Sequence, residues 1–338
     1  MTDYFRPLVQ IGPARPDAAV PLAGGWGWFT HAEVLSRSAS PRVVPATDIP
    51  ASVLARLTAA RTEIASLSLD RPRIMGILNT TPDSFSDGGQ HTAVSDAVRA
   101  GQAMVAAGAD ILDIGGESTR PGADFVLVSE EITRTAPVIA ALRGAGLRTP
   151  ISIDTRKSAV AEAAVSAGAD LVNDVSGFTF DPALGPLCQT LGLPVCVMHA
   201  QGDPATMHLD PRYDNVLLDV YDALERQIAV LEASGIPRSA ILADPGIGFG
   251  KTQEHNLALL ARLSLFHALG TPILLGVSRK RFIGTIGNAP QAQDRAPGSI
   301  AVALAGLGQG VQMIRVHDVD DTRQAVALWH AAYFGSIL

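Results

Sequence analysis

Cysteine is scarce in this 338-residue sequence, which has only Cys188 and Cys196, and neither belongs to a CxxC motif or a cysteine–histidine cluster. One pair cannot build a disulfide framework, and cysteines with metal-site spacing are missing. No segment reaches the roughly 18 uninterrupted apolar residues of a membrane-spanning helix. Residues 1–17 are too polar for the apolar core of a secretion signal. We therefore expect a cytoplasmic protein that does not span a membrane.

Lysine is also rare, since three of the 26 basic residues are lysines and the rest are arginines. The 33 acidic residues outnumber the basic ones and give a formal net charge of −7. This balance argues against a nucleic-acid or membrane-surface binder that relies on bulk positive charge. We expect an electrostatic role for Lys280, a loop-closing role for Lys251, and a solvated position at a helix start for Lys157.

Apolar residues, by contrast, are plentiful: 47% of the chain is hydrophobic and 17% is charged, as in an ordinary globular protein. From residue 74 onward, short apolar runs alternate with segments of helical period. Each run precedes a turn rich in glycine, proline or aspartate. The eight runs cover residues 74–78, 111–114, 151–153, 171–172, 195–198, 241–243, 273–277 and 313–316.

This alternation predicts a parallel sheet covered by helices. Eight strand–helix units in about 260 residues match the size of a (β/α)8 barrel. The segment AGADILD at 107–113 is echoed by AGADLVN at 167–173, as expected of repeated units. A doubly wound dinucleotide-binding sheet is disfavoured because residues 79–89 contain no GxGxxG. We predict an α/β fold, a (β/α)8 TIM barrel.

Residues 1–70 lie outside this pattern. They contain Trp26 and Trp28 in the segment GGWGWF, together with several prolines. We predict a small β-rich accessory extension that ends in a helix from Pro50 to Leu67, followed by the barrel over residues 71–338. Such an aromatic cluster is more typical of a module core or docking face than of a ligand site.

Polar residues follow the apolar runs, where a barrel of this type carries its active site. Any one of them could be a loop cap or a solvated side chain, but a ring of them at one edge indicates a site. The ring consists of Asn79, Glu117, Ser118, Thr119, Arg120, Asp154, Asn173, Asp174, His199, Gln201, Asp244, Ser278, Arg279, Lys280, Arg315 and His317.

This ring divides by charge. Asp154, Asn173 and Asp244 offer acceptors and an amide that suit a planar heterocycle rich in N–H groups. A neighbouring group collects cations and neutral donors in a protein that is acidic overall, which suggests an anionic substrate such as a phosphate ester. That group consists of Asn79, Lys280, Arg315 and His317.

Several familiar motifs are incomplete. The segment PGIGFGKT at 245–252 resembles a phosphate-binding P-loop, but Pro245 replaces the first glycine and the segment follows the sixth strand. No HExxH or HxH zinc pattern is present. Cys196 lies in a predicted buried strand, where an inert thiol is expected. Lys280 follows its strand, which favours an electrostatic role over Schiff-base chemistry.

Seven motifs together resemble the dihydropteroate synthase family, in order from about residue 73 to 333. The first two are long and specific, and the others are short but correctly spaced. One departure is Ala200 in HAQG, where family members often carry a larger residue such as methionine. The motifs are ILNTTPDSFSDGG (77–89), DIGGESTRPG (113–122), DTRK (154–157), NDVSG (173–177), DPGIGFGK (244–251), SRK (278–280) and RVHDV (315–319).

The resemblance implies a transferase of folate biosynthesis and a sulfonamide target. Such an enzyme joins 6-hydroxymethyl-7,8-dihydropterin pyrophosphate to para-aminobenzoate, and releases pyrophosphate and 7,8-dihydropteroate. It also implies a need for Mg²⁺ and a homodimer packed through late barrel helices. The apolar residues of one such helix fit a stripe that faces the barrel core as well as they fit a dimer interface. They are Ile300, Val302, Leu304 and Leu307.

The resemblance further implies roles for individual residues, with Asp244, Lys280, Arg315 and His317 as the catalytic set. The pterin would be held by Asp154, Asn173, Asp244 and Lys280, and Met198 is a further substrate-binding residue. The pyrophosphate would be held by Asn79, Arg315 and His317, with Asn79 also acting through the metal. The para-aminobenzoate pocket would consist of Thr119, Arg120, Pro121, Phe249 and Ser278, with Phe85 closing over it.

Two alternatives stay open at this point. A pterin- or folate-dependent methyltransferase shares the Asp/Asn pterin pattern, but would not need the Arg315 and His317 pair or the STRP segment at 118–121. A non-catalytic pterin-binding protein would not need to keep the four residues Asn79, Arg120, Lys280 and His317. The residues therefore favour the synthase.

Overall fold

Eight parallel strands form one sheet in the computed structural model. The structure describes residues 3–80, 89–118, 125–202, 207 and 209–337; for residues 89–92 it describes the backbone alone. The strands are β6 (Arg73–Asn79), β7 (Ile111–Gly115), β8 (Ile151–Asp154), β9 (Leu171–Asp174), β10 (Val195–Met198), β11 (Ile241–Asp244), β12 (Leu274–Leu275) and β13 (Met313–Val316). Their spatial order is β11-β10-β9-β8-β7-β6-β13-β12. Each of the eight predicted runs therefore contains a strand.

The two ends of this sheet meet. Ala243 in β11 forms a parallel bridge with Ile273, directly before β12, so the sheet closes into a barrel. The predicted TIM barrel is confirmed. β12 is shorter than the run 273–277 because the chain turns after it: Arg279 has a left-handed φ of 57°, and its backbone N–H donates to the Ser299 hydroxyl at 2.8 Å.

Helices follow the strands and cover the outside of the barrel. They are α2 (Gly89–Ala106), α3 (Val128–Gly144), α4 (Ser158–Ala167), α5 (Leu184–Leu191), α6 (Val216–Ala233), α7 (Gln253–Leu260), α8 (Arg281–Ile286), α9 (Ala296–Gly308) and α10 (Val319–Phe334), with a 3-10 helix at Leu263–Leu269. Within the described ranges, none of the helices has the length and apolar character needed to cross a membrane.

Side chains alternate along each strand between the two faces of the sheet. Outward residues such as Ile74 and Ile241 join the large core beneath the helices. Inward residues such as Met75, Ile111 and Leu242 form a separate cluster at the floor of the barrel. Further along the strands the inward residues become polar, which places the site at the opposite end from the floor.

The repeated AGAD segments build the same feature twice. Asp110 accepts the backbone N–H of Ile74 at 2.8 Å, and Asp170 accepts that of Ile151 at 2.8 Å. Each aspartate thus satisfies a donor at the start of the preceding strand, which sets the register between neighbouring units.

The N-terminal extension is β-rich, and its apolar residues form a small core of their own. Phe29 and Leu57 are buried there together with Ala268 of the barrel, so the core of the extension is continuous with the barrel surface. The elements are β1 (Tyr4–Pro7), β2 (Val20–Pro21), β3 (Trp28–Phe29), β4 (His31–Leu35), β5 (Arg42–Pro45), a 3-10 helix (Ala46–Asp48) and α1 (Ala51–Thr58). Three of these strands form an antiparallel sheet in the order β1-β4-β5.

The predicted helix from Pro50 to Leu67 is wrong beyond Thr58. The chain turns there because the Arg61 N–H donates to the carbonyl of Ala23, and because Ile64 enters the floor of the barrel. A short bridge between Ile64 and Leu67 closes the turn. Helical periodicity could not reveal this, since the partners lie elsewhere in the chain.

Trp26 joins the extension to the barrel. Its indole N–H donates to the carbonyl of Leu307 in α9 at 2.9 Å, and its ring meets Trp329 of α10 edge-on, with centroids 6.4 Å apart. The prediction that the aromatic cluster is a docking face is therefore confirmed for Trp26.

Candidate active site

Four charged side chains and one amide converge inside the mouth of the barrel, carried by β7, β8, β9, β11 and β13. Asp154 stands opposite Asn173 in the register of β8 and β9. Asp244 stands opposite Met198 in the register of β10 and β11. Because these strands are parallel and closed into a barrel, side chains far apart in sequence share one layer.

Arg315 is the centre of this layer. Its Nε donates to Asp113 Oδ2 at 2.5 Å, and its Nη2 donates to Asp154 Oδ2 at 2.7 Å. Asn173 Nδ2 also donates to Asp113 Oδ2, at 3.2 Å. Burial raises the pKa of Asp154, while Arg315 opposes that shift and Asp113 adds to it.

Asp113 is a residue that the predicted ring did not include. It is fully buried inside β7, between Ile111 and Gly115 on the inward face. A carboxylate in the middle of an apolar strand is costly unless it is paired, and this was the signal available in the sequence. The two-sided charge pattern predicted from sequence is also incomplete, because Arg315 reaches across to the acidic side.

Asp244 is held at the end of β11 by its own loop. The backbone N–H of Gly246 donates to Asp244 Oδ1 at 2.7 Å. Burial raises the pKa of Asp244 to about 6, and this hydrogen bond together with the positive charges of Lys280 and Arg315 opposes the rise. The buried side chain of Met198 lies beside it on β10 and supplies an apolar wall.

Lys280 and Phe249 form a second edge of the site. The Lys280 ammonium lies 4.0 Å from the centroid of the Phe249 ring, in a cation–π contact. Gly248 has a left-handed φ of 84°, and a Cβ there would stand 3.1 Å from Lys280 Cδ. The glycine therefore lets the lysine stem lie directly on the loop.

Ser278 and His317 link the turn after β12 to the end of β13. The Ser278 hydroxyl accepts the backbone N–H of His317 at 3.1 Å and lies 2.9 Å from its Nδ1. Arg279 pairs with Asp318, with Nη2 and Oδ1 at 2.5 Å. Arg279 thus joins the two loops together, and Ser278 and His317 contact each other at the same junction.

The comparisons with known proteins agree with this geometry. A family model described as "Pterin binding enzyme" matches residues 75–317. Dihydropteroate synthase of Escherichia coli is 46% identical over 266 residues, which is 79% of this chain and 93% of that protein. The chain belongs to the dihydropteroate synthase family.

Solved structures of this family support the assignment. Xanthomonas albilineans dihydropteroate synthase with 4-aminobenzoic acid is similar with a TM-score of 0.75 at 45% identity, over 80% of this chain and 97% of that one. The same enzyme in complex with 7,8-dihydropteroate gives a TM-score of 0.72 at 43% identity, over 79% and 95% of the two chains. The predicted family and transferase class are confirmed.

Other members of the predicted ring have structural positions. Asp174 accepts the backbone N–H groups of Ser176 and Phe178, both at 2.7 Å, and so shapes its own loop. Gln201 is exposed and donates to the carbonyl of Arg212 at 3.1 Å. Neither residue belongs to the layer around Arg315.

The prediction for Lys157 is wrong. The side chain is buried, not solvated: its Nζ lies 2.6 Å from Glu131 Oε2, 3.2 Å from Glu117 Oε1 and 2.6 Å from the carbonyl of Val126. Arg156 completes the cluster with a bond to Glu117 at 3.1 Å. Lys157 thus contacts both Glu117 and Val126, which precede and follow residues 119–124 in the sequence.

The remaining predicted residues divide into two groups. Asn79 ends β6 and is half-buried, on the strand beside β13. The others, Phe85, Thr119, Arg120 and Pro121, lie outside the described residues.

Proposed function

We propose that the layer around Arg315 binds a dihydropterin pyrophosphate and joins it to para-aminobenzoate, giving 7,8-dihydropteroate and pyrophosphate. The observation that carries this proposal is the constellation of half-buried Asp154 with buried Asn173 and Asp244, beside two cations, Lys280 and Arg315. Acceptors of this kind match the amino and ring N–H groups of a pterin. Structures of relatives with 4-aminobenzoic acid and with 7,8-dihydropteroate support it.

The pterin would lie between the wall formed by Met198 and the carboxylate of Asp244. Asp244 Oδ1 already accepts from Gly246, so the carboxylate is fixed before the substrate arrives. A fixed carboxylate can accept two N–H groups from the amino edge of the ring without reorganising. Lys280 would lie at the carbonyl edge of the same ring.

The pyrophosphate would bind to Asn79, Arg315 and His317. Arginine has five N–H donors, and two of those of Arg315 are directed at Asp113 and Asp154. No bond from the other donors to a described residue is found, and they would be available to phosphate oxygens. Because the two carboxylates hold the guanidinium in place, its charge is positioned where the leaving group develops its own.

The reaction would proceed with cleavage before bond formation. The C–O bond between the pterin methylene and pyrophosphate breaks, and pyrophosphate leaves with the electron pair. The aniline nitrogen then forms the C–N bond and loses one proton to solvent or to the departing phosphate. Asp244 balances the positive charge on the pterin, so no strong general base is required.

Magnesium fits this arrangement only as an ion shared with the substrate. Among the residues that the structure describes, no group of three or more histidine, cysteine, aspartate or glutamate side chains could hold a metal. Mg²⁺ commonly uses one or two protein oxygens and completes its shell with phosphates and water. The amide oxygen of Asn79 is such a ligand. When bound, the ion would neutralise charge on the pyrophosphate.

The para-aminobenzoate would approach from the side of Phe249 and Ser278. Phe249 offers an aromatic face next to Lys280, and Ser278 a hydroxyl next to His317. We keep Thr119, Arg120 and Pro121 as the remaining members of this pocket, with Phe85 closing over it.

We also propose a homodimer that packs through α9 and α10. In the part of the chain that the structure describes, Leu328 and Tyr333 of α10 are 66% and 51% exposed, whereas Leu307 of α9 faces the core. A cytoplasmic location is proposed because Cys188 and Cys196 are both buried and unpaired. Light scattering on the purified protein tests the dimer, and a monomer at micromolar concentration would contradict it.

We propose the division into an accessory extension, residues 1–70, and a pterin-binding barrel, residues 71–338. Ile64 and Leu69 contribute to the barrel floor, so a truncation that begins near Ala59 is the appropriate test. A soluble and active product would support the division.

A coupled assay for pyrophosphate release tests the function. Release should require both the dihydropterin pyrophosphate and para-aminobenzoate. No release with both present would overturn the proposal and leave binding or methyl transfer to be tested.

A further inference from the structure

The loop of residues 245–251 is built around its own lysine. The carbonyls of Gly246 and Phe249 accept from Lys251 Nζ at 2.9 and 3.0 Å. The carbonyl of His199 lies 3.3 Å from the same atom, and His199 Nδ1 lies 2.9 Å from it. A phosphate-binding loop points N–H donors inward, whereas this loop points carbonyl oxygens inward at a cation. Its likeness to a P-loop is therefore one of sequence only.

Lys251 is deeply buried, with 4% of its surface exposed, and its hydrogen-bond partners are all uncharged. Burial lowers the pKa of Lys251 to about 7, against the pull of nearby Asp244. Burial and the charge of Lys251 lower the pKa of His199 to about 3, so the imidazole is a neutral acceptor. Because burying a charge is costly, we expect a lysine at this buried position to have a specific role.

The loop also lies against the segment that follows β10. A Cβ on Gly246 would stand 1.9 Å from the carbonyl oxygen of His199, and one on Gly250 would stand 2.3 Å from that of Gln201. Both glycines have left-handed φ values, 66° and 59°. Only glycine permits this close approach, and Lys251 donates both to the carbonyl of His199 and to those of Gly246 and Phe249 in the loop.

Two groups of the site depend on how this loop is placed. The N–H of Gly246 fixes Asp244 Oδ1, and the ring of Phe249 lies under the Lys280 ammonium. The carbonyls of those same two residues, Gly246 and Phe249, bind Lys251. The ammonium of Lys251 is thus connected to both candidate pterin groups, Asp244 and Lys280, through one residue each.

We propose that Lys251 is a positioning residue for pterin recognition, which sets the N–H of Gly246 on Asp244 and the ring of Phe249 against Lys280. The inference rests on the proposed function of the site. It assigns a task to a lysine that does not itself face the substrate. Arginine cannot replace it, because a planar fork does not fit acceptors gathered around one point.

The test compares K251M, K251R and R73M in the full chain. Arg73 is a matched control, since it is equally buried and pairs with Asp110 away from the mouth of the barrel. We expect K251M to raise KM for the dihydropterin pyrophosphate at least tenfold, and K251R nearly as much. KM for para-aminobenzoate should rise threefold or less, since Phe249 alone connects Lys251 to that pocket. R73M should lower the melting temperature and leave both KM values unchanged.

A pH profile separates positioning from a general loss of structure. The groups whose charges act on Asp244 include Lys251, Lys280 and Arg315. Removing Lys251 takes away a positive charge and loosens the Gly246 hydrogen bond, and both changes raise the pKa of Asp244. The acidic limb of kcat/KM should therefore move to higher pH in K251M and stay in place in R73M.

Three results would overturn the inference: an unchanged pterin KM in folded K251M, an equal rise of both KM values, or an acidic limb that does not move. If K251M does not fold, H199L decides, because it removes one acceptor and leaves three carbonyls. It should raise the pterin KM about threefold, and a wild-type value would sink the proposal. Absence of turnover in the wild type would instead contradict the proposed function.

Discussion

Arg315 and Asp113 form an ion pair inside the barrel, with Nε and Oδ2 2.5 Å apart. They stand on β13 and β7, with β6 between them. Asp113 is fully buried, and in the described ranges its Oδ1 has no hydrogen-bond partner. The pair therefore joins the two sides of the site through a fully buried carboxylate.

Replacing Asp113 with asparagine should disturb Arg315 more than the fold. Arg315 would keep Asp154 but lose the negative charge beside its Nε, so kcat/KM should fall at least tenfold. The loss of one charge-assisted hydrogen bond should cost about 1–3 kcal/mol of unfolding free energy. Steady-state kinetics and urea unfolding measure the two effects. Asp96, which pairs with Arg99 on the surface of α2, gives the control D96N, and equal kinetics for D113N and D96N would contradict this expectation.

Asp244→Asn should abolish most turnover and preserve the fold. The amide keeps the size of the carboxylate but offers only one acceptor and no charge to the pterin, so kcat/KM should fall by about a hundredfold or more, as for two charge-assisted hydrogen bonds. Because burial disfavours the Asp244 carboxylate, the melting temperature at pH 8 should be unchanged or higher. A variant with near wild-type kinetics would remove Asp244 from the mechanism.

Activity should decline in acid as Asp244 takes up a proton. Its pKa is raised to about 6, mainly by burial, so the carboxylate is ionised above that pH and neutral below it. The neutral acid cannot balance a cationic pterin. We expect kcat/KM for the pterin substrate to show an acidic limb near pH 6. A flat profile between pH 5 and 8 would argue against an ionised Asp244.

Lys157→Met should destabilise the protein strongly. The change leaves the carboxylates of Glu131 and Glu117 buried without their shared cation, and breaking a buried pair in this way costs about 3–5 kcal/mol. Urea unfolding measures the loss. The matched control is R99M, since Arg99 forms an exposed pair that contributes little. Equal stability of the two variants would mean that the buried cluster is not a stabilising one.

Trp26→Ala should loosen the extension from the barrel. The variant loses the bond to Leu307 and the contact with Trp329, and truncation of a buried tryptophan costs about 3–5 kcal/mol. Val43, which is 59% exposed, provides the control V43A, expected to change stability by less than about 0.5 kcal/mol. Thermal unfolding distinguishes them, and similar curves would show that Trp26 does not secure the extension.

Much of the site could be predicted because parallel strands end at one edge. The convergence of four residues follows from the fold class, because each lies near the end of an apolar run or directly after it. These residues are Asp154, Asn173, Asp244 and Arg315. Asp113 was missed because it precedes the strand end. The partners of Arg315 could not be predicted, since they depend on which side chains face inward across the closed barrel.

The sequence by itself determined the class of fold, the family and the edge that carries the chemistry, because the period of apolar residues and the order of motifs are local properties of the chain. The tertiary structure decided which partners the buried charged side chains have. Lys157 was expected in solvent and lies among carboxylates, and Lys251 lies among carbonyls of its own loop. Which groups neutralise or hold a charge depends on contacts between distant segments, and no local pattern in the sequence records them.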